Sequence, residues 1–150
     1  MKLATALAER SDIQNRISEI SVRLNNNAKV QEGDIPAENP IVLIEELDSM
    51  TERLETLIAR INLTNSSTFY NGKTITDLLA HRDCLKNKIE IMRNFLNNAS
   101  NRVTRMTRTE IKIISTIPVS DIQKTVDILS KELRIVDEKI QELNWTTELK

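Results

Sequence analysis

Asp77, His81 and Cys84 stand at i, i+4 and i+7, a spacing that sets a carboxylate, an imidazole and a thiol on one face of a helix. All three are metal-ligand types, and a thiol one turn from an imidazole is the beginning of a nucleophilic site. The chain holds one His and one Cys in all, so a closed zinc site would need further carboxylates. The Cys84–His81 pair also lacks a third orienting group or an oxyanion motif. No Glu-x-x-His of the di-iron bundles and no Gly-rich phosphate loop occurs. The trio therefore reads as a first-turn Asp beside a partly buried His and Cys. No catalytic residue, metal site or cofactor is assigned.

A second group is basic. Arg102, Arg105, Arg108 and Lys112 form the one notable local excess of positive charge, and the three Arg at spacing three would line one helical edge. Forked guanidinium donors suit phosphate or carboxylate. A solvated helix end, where cations meet the negative pole of the helix dipole, accounts for the same residues without a ligand. The cluster has no interleaved aromatic residues, and the whole chain carries a formal charge of −1. Nucleic acid is not an expected partner.

Arg10 and Arg82 interrupt otherwise apolar heptad seams. In an antiparallel bundle they would fall in a similar layer, with Asp83, Glu55 and Asp137 as acceptors at that height. Such a polar layer fixes register more than it stabilises. The alternative is that each Arg lays its stem along the seam and extends its head to water.

These residues need helices to position them, and the apolar periodicity supplies four. Spacings of three and four link Leu3, Ala6, Arg10, Ile13, Ile17, Ile20 and Leu24, then Leu43, Leu47, Met50, Leu54, Leu57 and Ile61. The pattern resumes through Ile75, Leu78, Arg82, Leu85, Ile89, Met92 and Leu96. It ends with Val119, Ile122, Val126, Leu129, Leu133, Val136, Ile140 and Leu143. Helices are predicted over about 2–25, 40–63, 75–103 and 118–144. Asn39 before Pro40 is an N-cap signal, and Thr74 with Asp77 resembles a capping box.

Between the helices, Asn25–Pro36 and Asn62–Gly72 read as connections, the second closing on an Asn71-Gly72 turn with positive φ. Glu110–Ile113 and Ala28–Gln31 alternate like short strands and are expected to pair as a ribbon. Trp145, just past the last seam residue, is expected to cover the bundle end. The predicted fold is a single all-α domain, 1–150. Its four long heptad-patterned helices form an antiparallel bundle or coiled-coil hairpins, with a small two-stranded β ribbon at one end.

Composition agrees with that fold. Two Gly, three Pro and 29% charged residues suit uninterrupted helices, and 3% aromatics imply an aliphatic core. The longest purely apolar run, Ile41–Ile44, is far short of a bilayer span. The first residues reach charge too early for a secretory h-region, and a lone cysteine suits a reducing compartment. The expected location is the cytoplasm. The sequons at Asn62, Asn65, Asn98 and Asn144 carry little meaning in that setting.

The polar segments Leu24–Gly33, Ala59–Asn65, Arg108–Lys112 and Gln141–Leu149 resemble the septicolysin-like family of small bacterial helical proteins over nearly the full length. That family is largely uncharacterised, and its name implies a cytolysin. The resemblance implies that Asn62, Asn65, Arg82, Asp83, Arg105, Glu110, Lys112, Asn144 and Trp145 belong to a recurring pattern, with His81 outside it. The function expected first is a non-enzymatic, self-associating helical binding or scaffold protein. A membrane-active cytolysin-like protein comes second, and an enzyme or metal-binding bundle third. Self-association through exposed seam edges is the expected partnership. Membrane contact enters only under the second reading.

Overall fold

The computed structural model describes residues 1–100, 111 and 113–150. The fold is all-α; the described residues form four long helices and one small hairpin in the order α1 (Leu3–Asn26), α2 (Pro40–Ser67), β1 (Phe69–Tyr70), β2 (Lys73–Thr74), α3 (Ile75–Ser100) and α4 (Val119–Thr146). Two compact units divide it. The first is Met1–Ile75 with Glu142–Lys150, and the second is Thr76–Gln141.

In the first unit α1 and α2 pair as an antiparallel hairpin along their predicted seams. Leu3, Ala6, Ile13 and Ile20 from α1 and Leu43, Met50, Leu57 and Ile61 from α2 are buried. One side of this hairpin is laced by ion pairs whose order gives the antiparallel register. Arg53 Nε lies 2.7 Å from Glu9 Oε1, Arg16 Nη2 3.5 Å from Glu46 Oε1, and Arg23 Nη2 2.5 Å from Glu38 Oε1.

The connection Asn27–Asn39 is tied to α1 rather than left loose. Asn27, 8% exposed, donates from Nδ2 to Arg23 O at 2.8 Å and accepts from Glu38 N–H at 2.9 Å. Gly33, at φ 89°, allows the turn that returns Asp34 N–H to Gln31 O at 3.0 Å. The predicted N-cap holds, for Asn39 Oδ1 accepts from Ile41 N–H at 2.9 Å with Pro40 at the first helical position.

Three local expectations are corrected. Asn62–Ser67 is helical, not a connection: α2 continues to Ser67, because Thr64 and Ser67 hydroxyls donate back to Arg60 O at 2.8 Å and Leu63 O at 2.6 Å without breaking the ladder. The ribbon is not formed by Ala28–Gln31, which is not a strand, and its supposed partners Glu110 and Lys112 lie outside the described residues. The ribbon found joins Phe69 to Thr74 and Tyr70 to Lys73. Its turn is Asn71 (φ 49°) and Gly72 (φ 77°), the positive-φ pair that closes a two-residue hairpin. Finally, Trp145 is 65% exposed. The buried residue near that helix end is Leu149, 7% exposed, which the antiparallel pairing of Lys2 with Glu148 draws onto the α1 start.

In the second unit α3 and α4 form another hairpin. Leu85, Ile89, Leu96 and Val126 are its buried centre, with Met92, Ile122, Leu129 and Leu133 packed against them. The core is aliphatic, as the composition requires, and only one seam deep.

Candidate interaction surface

Each helix hairpin has two lateral sides, and cross-helix contacts identify them. In the α3/α4 hairpin His81 Nε2 meets Glu132 Oε1 at 3.0 Å on one side, and Arg93 Nη2 donates to Ser130 Oγ at 3.1 Å on the other. His81 and Glu132 each precede a seam residue by one position, whereas Arg93 and Ser130 each follow one. The helical period therefore assigns the remaining side chains. Ile91 and Phe95 on α3, and Ile128 and Ile135 on α4, share the side of His81 and Glu132.

These four side chains face solvent. Ile91 is 60% exposed, Phe95 45%, Ile128 68% and Ile135 58%. Burying an apolar side chain of this size is worth about 1.5–3 kcal/mol, so leaving four on one side of one hairpin is a substantial unspent driving force. Cys84 is exposed on the same side, one helical turn from His81. Lys88 also lies there, between the apolar residues of α3.

The opposite side of this hairpin is polar. An open groove of about 430 Å³ runs along Lys86, Glu90, Arg93, Asn94 and Asn97, floored by Ile89 and Leu133. The first unit has a groove of about 370 Å³ along its ionic side, where Glu9, Arg16, Glu46 and Arg53 are already partnered. Neither groove gathers a buried titratable group that would serve as acid, base or nucleophile.

The residues singled out by sequence are dispersed. Arg102, Arg105, Arg108 and Lys112 lie outside the described residues. Arg82 bonds its neighbour Asp83, with Nη2 2.8 Å and Nε 2.9 Å from Oδ1, and reaches Asp137 at 3.9 Å. Arg10 belongs to the first unit, where its Nε is buried without a hydrogen-bond partner. Arg82 thus meets two of the three named acceptors, Asp83 and Asp137. Among the described residues no group of three or more His, Cys, Asp or Glu is placed to hold a metal ion, and His81 turns to Glu132.

Within the first unit the polar segment Ala59–Asn65 and the chain end Glu142–Lys150 meet in one structural clasp. Lys150 N–H donates to Thr64 Oγ at 3.0 Å, and Arg60 Nε donates to Lys150 O at 2.7 Å. Leu3 N–H donates to Thr147 O at 3.0 Å, and Leu149 N–H to Met1 O at 2.8 Å. Glu148 accepts from Lys2 Nζ at 2.7 Å and from the Met1 amino group at 3.0 Å. The Lys2 bond first, and the amino group second, hold the Glu148 carboxyl below its ordinary value. Arg53 does the same to Glu9, and Arg23 to Glu38.

The apolar side of α3/α4 was not found from the seams. Its signal is present in the sequence, as apolar residues one position before seam residues at Ile91, Phe95, Ile128 and Ile135, but a two-helix hairpin is needed to bring the two stripes to one side. Among the described residues, no helix is long and apolar enough to cross a membrane.

A crystal structure titled as that of a functionally unknown conserved protein from Corynebacterium diphtheriae is similar along the entire chain. It shares 44% identity at a TM-score of 0.91, covering 100% of this chain and 99% of that one. No curated protein matches. A family model matches residues 10–149, both helical hairpins included, and the chain accordingly belongs to a family of unknown function (DUF6847).

Proposed function

We propose that this chain is a cytoplasmic, non-enzymatic helical scaffold that works by self-association, using the exposed apolar side of its α3/α4 hairpin. The observation that carries the reading is the gathering of Ile91, Phe95, Ile128 and Ile135 on one solvent-facing side of a core only one seam deep. A helical hairpin with such a side gains by covering it, and four-helix packing is the common way to do so.

A second reading draws on the same side chains. A membrane-active, septicolysin-like protein would insert them into a lipid surface. The charges beside the patch favour a protein surface instead: Lys88 and Glu132 have opposite signs, whereas an anionic bilayer selects a uniformly basic border.

Sedimentation analysis across a range of concentrations tests the first reading. The native chain is expected to self-associate, and Ile91→Asp with Ile128→Asp to abolish it with helicity unchanged. A native chain that stays monomeric up to about 100 μM, beyond the range of ordinary weak interfaces, defeats the proposal. Dye release from anionic vesicles by the native chain, lost in the same double variant, would move the assignment to the membrane.

A further inference from the structure

The residues after α4 show what the neighbouring end of the α1/α2 hairpin can hold. We propose that this end is a peptide-binding slot which Thr147–Lys150 occupies in cis, and that an extended segment of the same chemistry on another protein, a carboxylate followed by leucine and lysine, can take its place. The slot belongs to the first unit and does not depend on the α3/α4 side.

The main chain is gripped first. α4 ends at Thr146, and the residues beyond it run antiparallel to Met1–Leu3, with Lys2 opposite Glu148. Leu3 N–H donates to Thr147 O at 3.0 Å, and Leu149 N–H to Met1 O at 2.8 Å. Arg60 and Thr64 of α2 continue the grip. Arg60 donates from Nε to Lys150 O at 2.7 Å and from Nη2 to Leu149 O at 3.4 Å. Thr64 Oγ accepts the Lys150 N–H at 3.0 Å. All of these bonds go to backbone groups, so any extended segment can make them, as in strand-addition recognition.

Side chains supply the selection. Successive residues of an extended segment point to opposite faces, so Glu148 and Leu149 read different surroundings. Glu148 is 61% exposed and meets Lys2 Nζ at 2.7 Å. Leu149 takes the inner face, buried like Leu3. Lys150 Nζ donates to Ser67 O at 3.1 Å and Ser67 Oγ at 2.7 Å. Ser67 is the last residue of α2, where unpaired carbonyls and the negative pole of the helix dipole favour a cation. Carboxylate, leucine and lysine are thus matched in order by Lys2, an apolar inner face and a helix C-terminus.

The hold is also local. Leu149 is the one buried residue of the four, and Glu148–Lys150 can lift away without unwinding a turn of α4. Openings of that kind lie at the low end of the energies within a fold. While it is attached, the segment competes against a free peptide with an effective concentration in the millimolar range.

Fluorescence anisotropy with a labelled synthetic peptide of residues 143–150 tests the slot on the full chain. Leu149→Asp removes the buried anchor from the chain's own segment and leaves the slot intact. The peptide should bind this variant about a hundredfold more tightly than it binds the native chain, whose own segment competes. The peptide carrying Leu149→Asp should not bind.

Lys2→Glu provides a second arm at a partly exposed position. It repels Glu148, which opens the slot, and it reverses the charge the slot selects. This chain should bind a peptide carrying Glu148→Lys about fivefold more tightly than the unchanged peptide. Should Leu149→Asp lose helicity, the Lys2→Glu chain carries the test alone. Equal binding by the native and Leu149→Asp chains overturns the proposal, as does an absence of binding by both opened variants up to about 1 mM peptide. A Lys2→Glu chain that still prefers the unchanged peptide overturns it as well.

Discussion

Thr64 holds the backbone of Lys150: its hydroxyl oxygen accepts the Lys150 N–H at 3.0 Å while donating to Arg60 O at 2.8 Å. Thr64 is 0% exposed, so its hydroxyl makes both bonds away from water. Thr64→Val, nearly the same size, should lower the unfolding free energy by about 1 kcal/mol, the net worth of a typical intramolecular hydrogen bond. Thr64→Ser should recover most of it. Urea denaturation measures the loss, and faster exchange of the Lys150 amide would locate it at the clasp.

Ile89 and Trp145 should respond in opposite measure to their size. Ile89 is 2% exposed in the α3/α4 core, and Ile89→Ala should cost about 2–5 kcal/mol. Trp145 is 65% exposed, and Trp145→Ala should fall within about 0.5 kcal/mol of the native chain. A large loss from the Trp substitution would restore its role as a cover for the helix end.

Arg10 should be dispensable for stability. Its Nε is buried with no partner, a desolvated group without compensation. Arg10→Leu should leave the denaturation midpoint unchanged or raise it, as replacement of unsatisfied seam charges commonly does. A loss greater than about 1 kcal/mol would mean that the guanidinium contributes through its remaining nitrogens or its packed stem.

Acid should weaken the first unit. Glu148, Glu9 and Glu38 are held below their ordinary values by hydrogen bonds from Lys2, Arg53 and Arg23 respectively. A carboxyl whose folded value is depressed binds fewer protons folded than unfolded. Its contribution is therefore complete above the unfolded value, about 4.3 for Glu, and disappears as pH falls through the lower folded value. Stability from these pairs should be flat from pH 7 to about pH 5 and decline below that range. Glu148→Gln should lower the urea midpoint slightly at pH 7 and show no difference from the native chain at the acid end. Because these pairs are exposed, added salt should shrink the effect.

How much of this was legible beforehand follows the range of each interaction. The four helices, the Asn39-Pro40 start and the Asn71-Gly72 turn are local matters of period, capping and backbone preference, and all stand in the sequence. The candidate surface was only half legible: each stripe is visible on its own helix, but one side of a hairpin exists only after the seams have paired.

Tertiary structure alone decided the rest. Asn62–Ser67 carries turn-forming residues, yet its hydroxyls return to helix carbonyls and Thr64 is buried under Lys150. Residues distant in sequence, Lys2 with Glu148 and Thr64 with Lys150, meet because the chain end returns to the first unit. That same return buries Leu149 and leaves the larger Trp145 in water. Nor does the shared heptad position show that Arg10 Nε is buried without a hydrogen-bond partner, whereas Arg82 pairs with Asp83. Periodicity determines which side of each helix is apolar; it does not specify which second surface will cover it, because burial depends on a partner that the helix's own residues do not encode.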